Sequence, residues 1–243
     1  MRSGLKDRVI VVTGGGRGIG AAAASLLAGD GARVVLASRT ADELAATERS
    51  IAAQAGAERV LAVPTDLTRE AAVVALFDKT LERFGDFHVL VNNAGRFVGG
   101  DFGDLDVETW DGVQAVNVRG AFLASREAFR RLRALGHGGA IVNLSSLGGI
   151  RGTQKFPGFA AYTASKFAVV GLTESLAVEG RPLGIRVNCV APGAVDTQMM
   201  HEAAPFLRTG TTATDVARTI RFLCDDEESG ALTGAVIEIH SNQ

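Results

Sequence analysis

The chain has 243 residues, 47% of them hydrophobic, and its 25 Lys and Arg against 27 Asp and Glu leave a formal net charge of −2. That length supports one large core and excludes two comfortable domains, while the balanced charge offers no basic excess for nucleic acid and no polybasic run for a membrane surface. Two cysteines, Cys189 and Cys224, are no disulfide framework, and no apolar run reaches the roughly 18–20 residues that a bilayer needs.

The start, MRSGLKD, enters a strand-like run at once, which predicts a cytoplasmic protein without a signal peptide. The first strand, Arg8–Thr13, ends in the turn TGGGRGIG at 13–20, and a helix follows over Gly18–Gly29. A strand, a glycine turn and a helix start form an anion site: absent side chains let a pyrophosphate approach, and helix-end N–H groups point at it. The spacing is G-x-x-x-G-x-G through Gly14, Gly18 and Gly20, with Gly16, Arg17 and Ile19 as further candidate contacts. A plain strand–helix connection is the competing reading of this turn taken alone.

The second strand, Arg33–Ser38, bears on which dinucleotide is held. Where an acidic residue would take the ribose hydroxyls, this strand ends in Ser38, followed by Arg39 and Thr40. A carboxylate would repel a 2′-phosphate, whereas a guanidinium pairs with one through a planar fork. NADP(H) is therefore favoured over NAD(H), with Arg17 within possible reach of the same phosphate. A solvated arginine at a helix start is the plainer reading of Arg39.

Further along come helix Ala41–Gln54, strand Arg59–Val63, helix Arg69–Arg83, strand His88–Asn92, a long helix Trp110–Leu135, strand Ala140–Ser145, helix Ala161–Glu179, strand Ile185–Ala191, helix Thr214–Cys224 and strand Ala235–Ile239. The strands are apolar runs with little alternation, as in a parallel sheet covered on both faces. Their alternation with helices predicts right-handed βαβ units in a single-domain α/β Rossmann fold over 1–243, a doubly wound seven-stranded parallel sheet.

Within the helix over Ala161–Glu179, YTASK places Tyr162 and Lys166 four residues apart, on one helical face. A phenol is a poor acid near neutrality, and a neighbouring ammonium favours the phenolate. The pair is a candidate proton donor to an oxygen becoming an alkoxide; an amphipathic surface is its alternative. Ser145 and Ser146 end the preceding strand, where an open α/β sheet binds ligands. Ser146 is the candidate to hold a carbonyl oxygen for Tyr162, and Ser145 a support.

In order along nearly the whole chain, TGGGRGIG, Asp66-Leu67, NNAG at 92–95, Asn117, Ser146, YTASK and PGAVDT at 192–197 resemble the short-chain dehydrogenase/reductase family. The resemblance implies hydride transfer between a nicotinamide and a carbonyl or secondary alcohol. It implies Tyr162 as general acid, Lys166 lowering the tyrosine pKa and bonding the nicotinamide ribose, and Ser146 orienting the carbonyl. Asn117 would hold a water linking Lys166 to solvent, although a buried structural amide is an equal reading. Asp66 and Leu67 would border the adenine. Asn93, Ala94 and Gly95 would line the ribose side, and Pro192, Gly193, Val195 and Thr197 the nicotinamide.

Ser146 and Tyr162 lie 16 residues apart (162 − 146), a few more than the family usually has. The extra residues fall in IRGTQKFPGF at 150–159, within a substrate segment over about 147–160; a second covers about 194–212. Arg151, Gln154 and Lys155 are either polar substrate contacts or solvated. Met199, Met200 and Phe206 are lid candidates over a rather open pocket. The resemblance also implies a homotetramer, or a homodimer, through the two long helices and the end AVIEIHSNQ. No metal is expected, because none of the four histidines lies at ligand spacing with Cys or carboxylates. Two alternatives stand beside the ketoreductase: a 3-oxoacyl-thioester reductase, and a non-catalytic NADP(H)-sensing protein, which need not keep Ser146, Tyr162 and Lys166.

Overall fold

In the computed structural model, which describes residues 4–240, seven strands form one parallel sheet in the order β3-β2-β1-β4-β5-β6-β7. These are β1 (Val9–Thr13), β2 (Arg33–Ser38), β3 (Val60–Pro64), β4 (Val89–Asn92), β5 (Gly139–Leu144), β6 (Ile185–Pro192) and β7 (Val236–Ile239). The doubly wound Rossmann-type fold is thus as expected, with strand boundaries within a residue of those read from sequence. The three C-terminal residues of the expected interface segment lie outside the described residues.

Apolar runs without alternation fit a sheet buried on both sides, because successive side chains point to opposite faces. Ile10, Val12, Val34 and Leu36 pack on one face with α1 (Gly18–Gly29), α2 (Ala41–Ala55) and α8 (Ala213–Cys224). The intervening Val11, Val35 and Ala37 pack on the other face with α3 (Glu70–Phe84) and α5 (Ala121–Leu135). The core therefore lies in two layers around the sheet. Strand order reverses between β1 and β4, which opens a crevice at their carboxyl ends.

The helix expected over Trp110–Leu135 differs in two ways. It begins earlier, as α4 (Val107–Gln114), where the Asp106 carboxylate caps it by accepting from the Thr109 N–H at 2.7 Å. It then passes through a π-helical turn, Ala115–Gly120, before α5. Three further helices complete the chain: α6 (Ala160–Gly180), α7 (Gln198–Ala203) and α9 (Asp226–Ser229). Among the described residues no helix is long and apolar enough to cross a membrane.

Candidate functional site

The crevice is a cleft of about 770 Å³, and both predicted substrate segments contribute to its wall. Of the residues singled out as catalytic or cofactor-binding, all but Gly20 and Asn117 line it. Those two act one layer behind.

Gly20 lies on the first turn of α1 against the Gly14 carbonyl, where a Cβ would sit 2.5 Å from Asn93 Nδ2. Gly14 itself holds φ +66°, in the left-handed region that glycine tolerates. Asn93 locks this arrangement: its Nδ2 donates to the Thr13 carbonyl at 2.9 Å and to the Gly14 carbonyl at 3.2 Å. Thr13 Oγ1 in turn accepts from the Asn93 and Ala94 N–H groups. The NNAG segment thereby staples the end of β4 to the glycine turn. Below it Asn92 donates to Asn143 Oδ1 at 2.9 Å and Ser125 Oγ at 2.8 Å, and Asn143 passes the chain on to Thr173 Oγ1.

The nucleotide end fits a dinucleotide on three observations. No side chain caps the N-terminus of α1, so its first N–H groups remain for a ligand. Ser38 Oγ is buried without a protein partner, and such a hydroxyl is costly unless something else bonds it. Arg39 stands exposed on the wall beside it. Asp66 lies opposite, its carboxyl held below the usual range by the Thr68 hydroxyl, against the effect of burial, with help from the Arg39 charge. Arg17 is engaged on the same wall: its guanidinium donates to Gln198 Oε1 at 2.9 Å and lies 3.8 Å from Glu43. Glu43 and Gln198 both line the cleft, and neither was expected from the sequence.

At the other end, α6 brings Tyr162 and Lys166 to the wall together with Ser146. The Ser145 hydroxyl donates to the Lys166 carbonyl at 2.8 Å, which makes it the support residue expected. Ser146 begins a short 3-10 turn, where its Oγ accepts from the Gly148 N–H at 3.1 Å, and it lines the same wall as the Tyr162 phenol. Burial pushes that phenol up to about 12, partly opposed by the Ser146 hydroxyl. Lys166 is 4% exposed, and burial pulls its ammonium down to about 8. Lys166 Nζ donates to the Leu144 carbonyl at 2.8 Å and lies 5.5 Å from the centroid of the Tyr162 ring.

Asn117 sits in the π turn with its side chain fully used. Its Oδ1 accepts from the Arg96 N–H, and its Nδ2 donates to the Arg96 carbonyl and Ser165 Oγ, all within 2.9 Å. Ser165 Oγ donates to the Tyr162 carbonyl at 2.6 Å, so the amide braces α6 from behind.

Among the loop candidates, Met199, Met200, Gln154 and Lys155 line the cleft, while Arg151 and Phe206 do not. Phe206 is exposed and touches Phe156 at the mouth. Phe97 was not anticipated on this wall, and Phe159 only as part of the expected substrate segment. They come from loops, where no periodicity marks an inward side.

The opposite end of the sheet corrects the reading of the histidines. Asp86, His88 and His137 bring ligand-type atoms within 4.8 Å of one another. Val9 N–H donates to His88 Nδ1 at 3.0 Å, which puts the imidazole proton on Nε2, facing Asp86 Oδ2 at 3.4 Å. That proton occupies the position from which a metal would be bound, so the cluster reads as a hydrogen-bonded group. Burial and then the Arg8 charge pull His88 down to about 4. An unfolded imidazole titrates near 6.5. Between those values the unfolded chain binds a proton that the folded chain refuses, so stability falls as pH drops from 6.5 toward 4. The urea midpoint of the wild type should fall across this window more steeply than that of His88→Asn. Equal slopes would reject the assignment.

Comparison with known proteins converges on one family. The family model for short chain dehydrogenases matches residues 8–207. The chain is 36% identical to a trans-4-hydroxycyclohexanecarboxylate dehydrogenase of Sinomonas cyclohexanicum, over 98% of this chain and 93% of the relative. The solved structure of a levodione reductase superposes with a TM-score of 0.89 at 33% identity, covering 96% of each chain. A 3-ketoacyl-(acyl-carrier-protein) reductase from Brucella melitensis, solved in complex with NADH, gives 0.88 at 31% identity, over 97% of this chain and 98% of that one.

Proposed function

Because the chain belongs to the short chain dehydrogenase family, and so is an oxidoreductase acting on a CH–OH/C=O pair, we propose that it is an NADP(H)-dependent ketoreductase with Tyr162 as its proton donor. The observation that carries this reading is the meeting of Ser146, Tyr162 and Lys166 on one wall of the cleft that also holds the glycine turn.

When bound, the nicotinamide cofactor supplies or accepts a hydride at the carbonyl carbon. Gly14, Gly16, Gly18 and Ile19, with the N-terminus of α1 behind them, would hold its pyrophosphate. Asp66 and Leu67 would border the adenine. Asn93, Ala94 and Gly95 would take the ribose side, with Pro192, Gly193, Val195 and Thr197 around the nicotinamide. The Ser146 hydroxyl orients the substrate oxygen beside the phenol. Tyr162, neutral near pH 7, keeps its proton until that oxygen gains charge and then delivers it. The Lys166 ammonium, held 2.8 Å from the Leu144 carbonyl, fixes a positive charge behind the phenol and favours the phenolate left after transfer. Much of the rate comes from positioning, since both reactants are held in one cleft.

The preference for NADP(H) rests on Ser38, Arg39 and Thr40. Arg17 is engaged with Gln198 and Glu43, which leaves Arg39 to meet a 2′-phosphate. Arg39→Asp should move the NADPH/NADH ratio of kcat/KM toward NADH by about tenfold or more, the scale of one charge-assisted pair. An unchanged ratio would refute the phosphate role. A homotetramer, or homodimer, is proposed through α5 and α6, where Phe122, Phe167 and Val178 are exposed. Sedimentation at the monomer mass would reject it.

A further inference from the structure

Resting on the ketoreductase reading, we propose that the substrate half of the cleft selects cyclic ketones with an apolar ring, and that Phe97, Phe156 and Phe159 set this selectivity. The phenol of Tyr162 begins a continuous run of aromatic contacts. Phe97 meets Tyr162 at 5.4 Å between ring centroids and Phe159 at 4.6 Å, and Phe159 meets Phe156 at 5.7 Å. All three phenylalanines line the cleft and are half-buried, so apolar ring surface faces the space next to the proton donor. Covering such surface with another apolar ring is favourable, and a ring loses less conformational freedom on binding than a flexible chain does.

The segment 150–159 supplies Phe156 and Phe159, and it is held in place. Lys155 Nζ donates to the Ile150 carbonyl and Thr153 Oγ1, each at 2.6 Å, and to the Thr153 carbonyl at 3.1 Å. Its ammonium therefore organises the loop. Gly158, at φ +79°, turns its carbonyl to accept from the Gly100 N–H at 3.2 Å, which ties this segment to the loop carrying Phe97. Phe206, 6.0 Å from Phe156, extends the run to the mouth of the cleft. The wall is thus anchored at both ends, which fixes a slot in place of an adaptable surface.

The test compares matched carbonyls with the enzyme and either NADPH or NADH: cyclohexanone against 2-hexanone, 2-tetralone, and an acetoacetyl thioester of N-acetylcysteamine. Ring ketones should exceed the open-chain substrates by tenfold or more in kcat/KM. Phe156→Ala should raise KM for the ring ketones about tenfold, with little effect on 2-hexanone, and Phe156→Leu should fall between. Calorimetric binding of cyclohexanol to the enzyme with reduced cofactor, a pair that cannot react, gives a readout independent of turnover, and it too should weaken in Phe156→Ala. Preference for the thioester or for 2-hexanone would overturn the inference and leave the ketoreductase reading standing. So would an equal loss on both series in the variants. Phe156-dependent binding of the ring alcohol without reduction of any carbonyl would uphold the slot and overturn the ketoreductase reading.

Discussion

Replacing Tyr162 with phenylalanine is expected to lower turnover by about 10²–10⁴-fold, the usual worth of a positioned general acid, while the dissociation constant for the nucleotide stays within about twofold. The substitution removes one oxygen and keeps the ring, so the 5.4 Å contact with Phe97 survives. The phenol that is lost belongs to the chain's one tyrosine. Water is a poor substitute donor here, because Ser146 and the aromatic wall occupy its surroundings. Single-turnover kinetics with a ring ketone, beside a fluorescence titration of the nucleotide, would separate the two quantities. Turnover within threefold of wild type would show that another group protonates the substrate.

Gly20→Ala is expected to weaken nucleotide binding by at least about tenfold and to lower the melting temperature by several degrees, the scale on which overpacking by one methyl costs about 1–3 kcal/mol. The added Cβ would stand 2.5 Å from Asn93 Nδ2 and closer still to the Gly14 carbonyl oxygen. Neither neighbour can yield cheaply. Gly14 is set by its left-handed backbone, and Asn93 by its bond to the Thr13 carbonyl at 2.9 Å. Movement of either deforms the turn proposed to hold the pyrophosphate. Gly29→Ala is the control on the same helix, because its Cβ would meet nothing within 4 Å. It should leave binding unchanged and hold or raise the melting temperature. Equal behaviour of the two variants would show that the turn tolerates side chains.

Sequence patterns gave the sheet because the five inner strands are nearly continuous buried runs and the two edge strands, β3 and β7, though only partly buried, keep enough apolar residues to be read. They also gave the glycine turn and the Tyr162–Lys166 pair, since those depend on spacings a helix fixes. The π turn at Ala115–Gly120 was not legible: its residues keep the apolar pattern of an ordinary helix. Nor was α7, at six residues too short to show a period. Contacts between distant loops were hidden for another reason. Arg17 meets Gln198 across 181 residues, and His137 meets Asp86 across 51. No local pattern announces such pairs. The Lys166 bond to Leu144 was missed likewise.

The two ends of the sheet divide the response to acid between them. Between pH 4 and 6.5 Tyr162 and Lys166 keep their charge states, with the phenol at about 12 and the ammonium at about 8. His88, pulled down to about 4 by burial and the Arg8 charge, lies at the far end of the strands. Activity lost through protonation of His88 is therefore a loss of folded molecules, with KM unchanged for those that remain. A ligand that binds only the folded state restores it by mass action, so saturating nucleotide should widen the acid limb of the activity profile without shifting any catalytic titration.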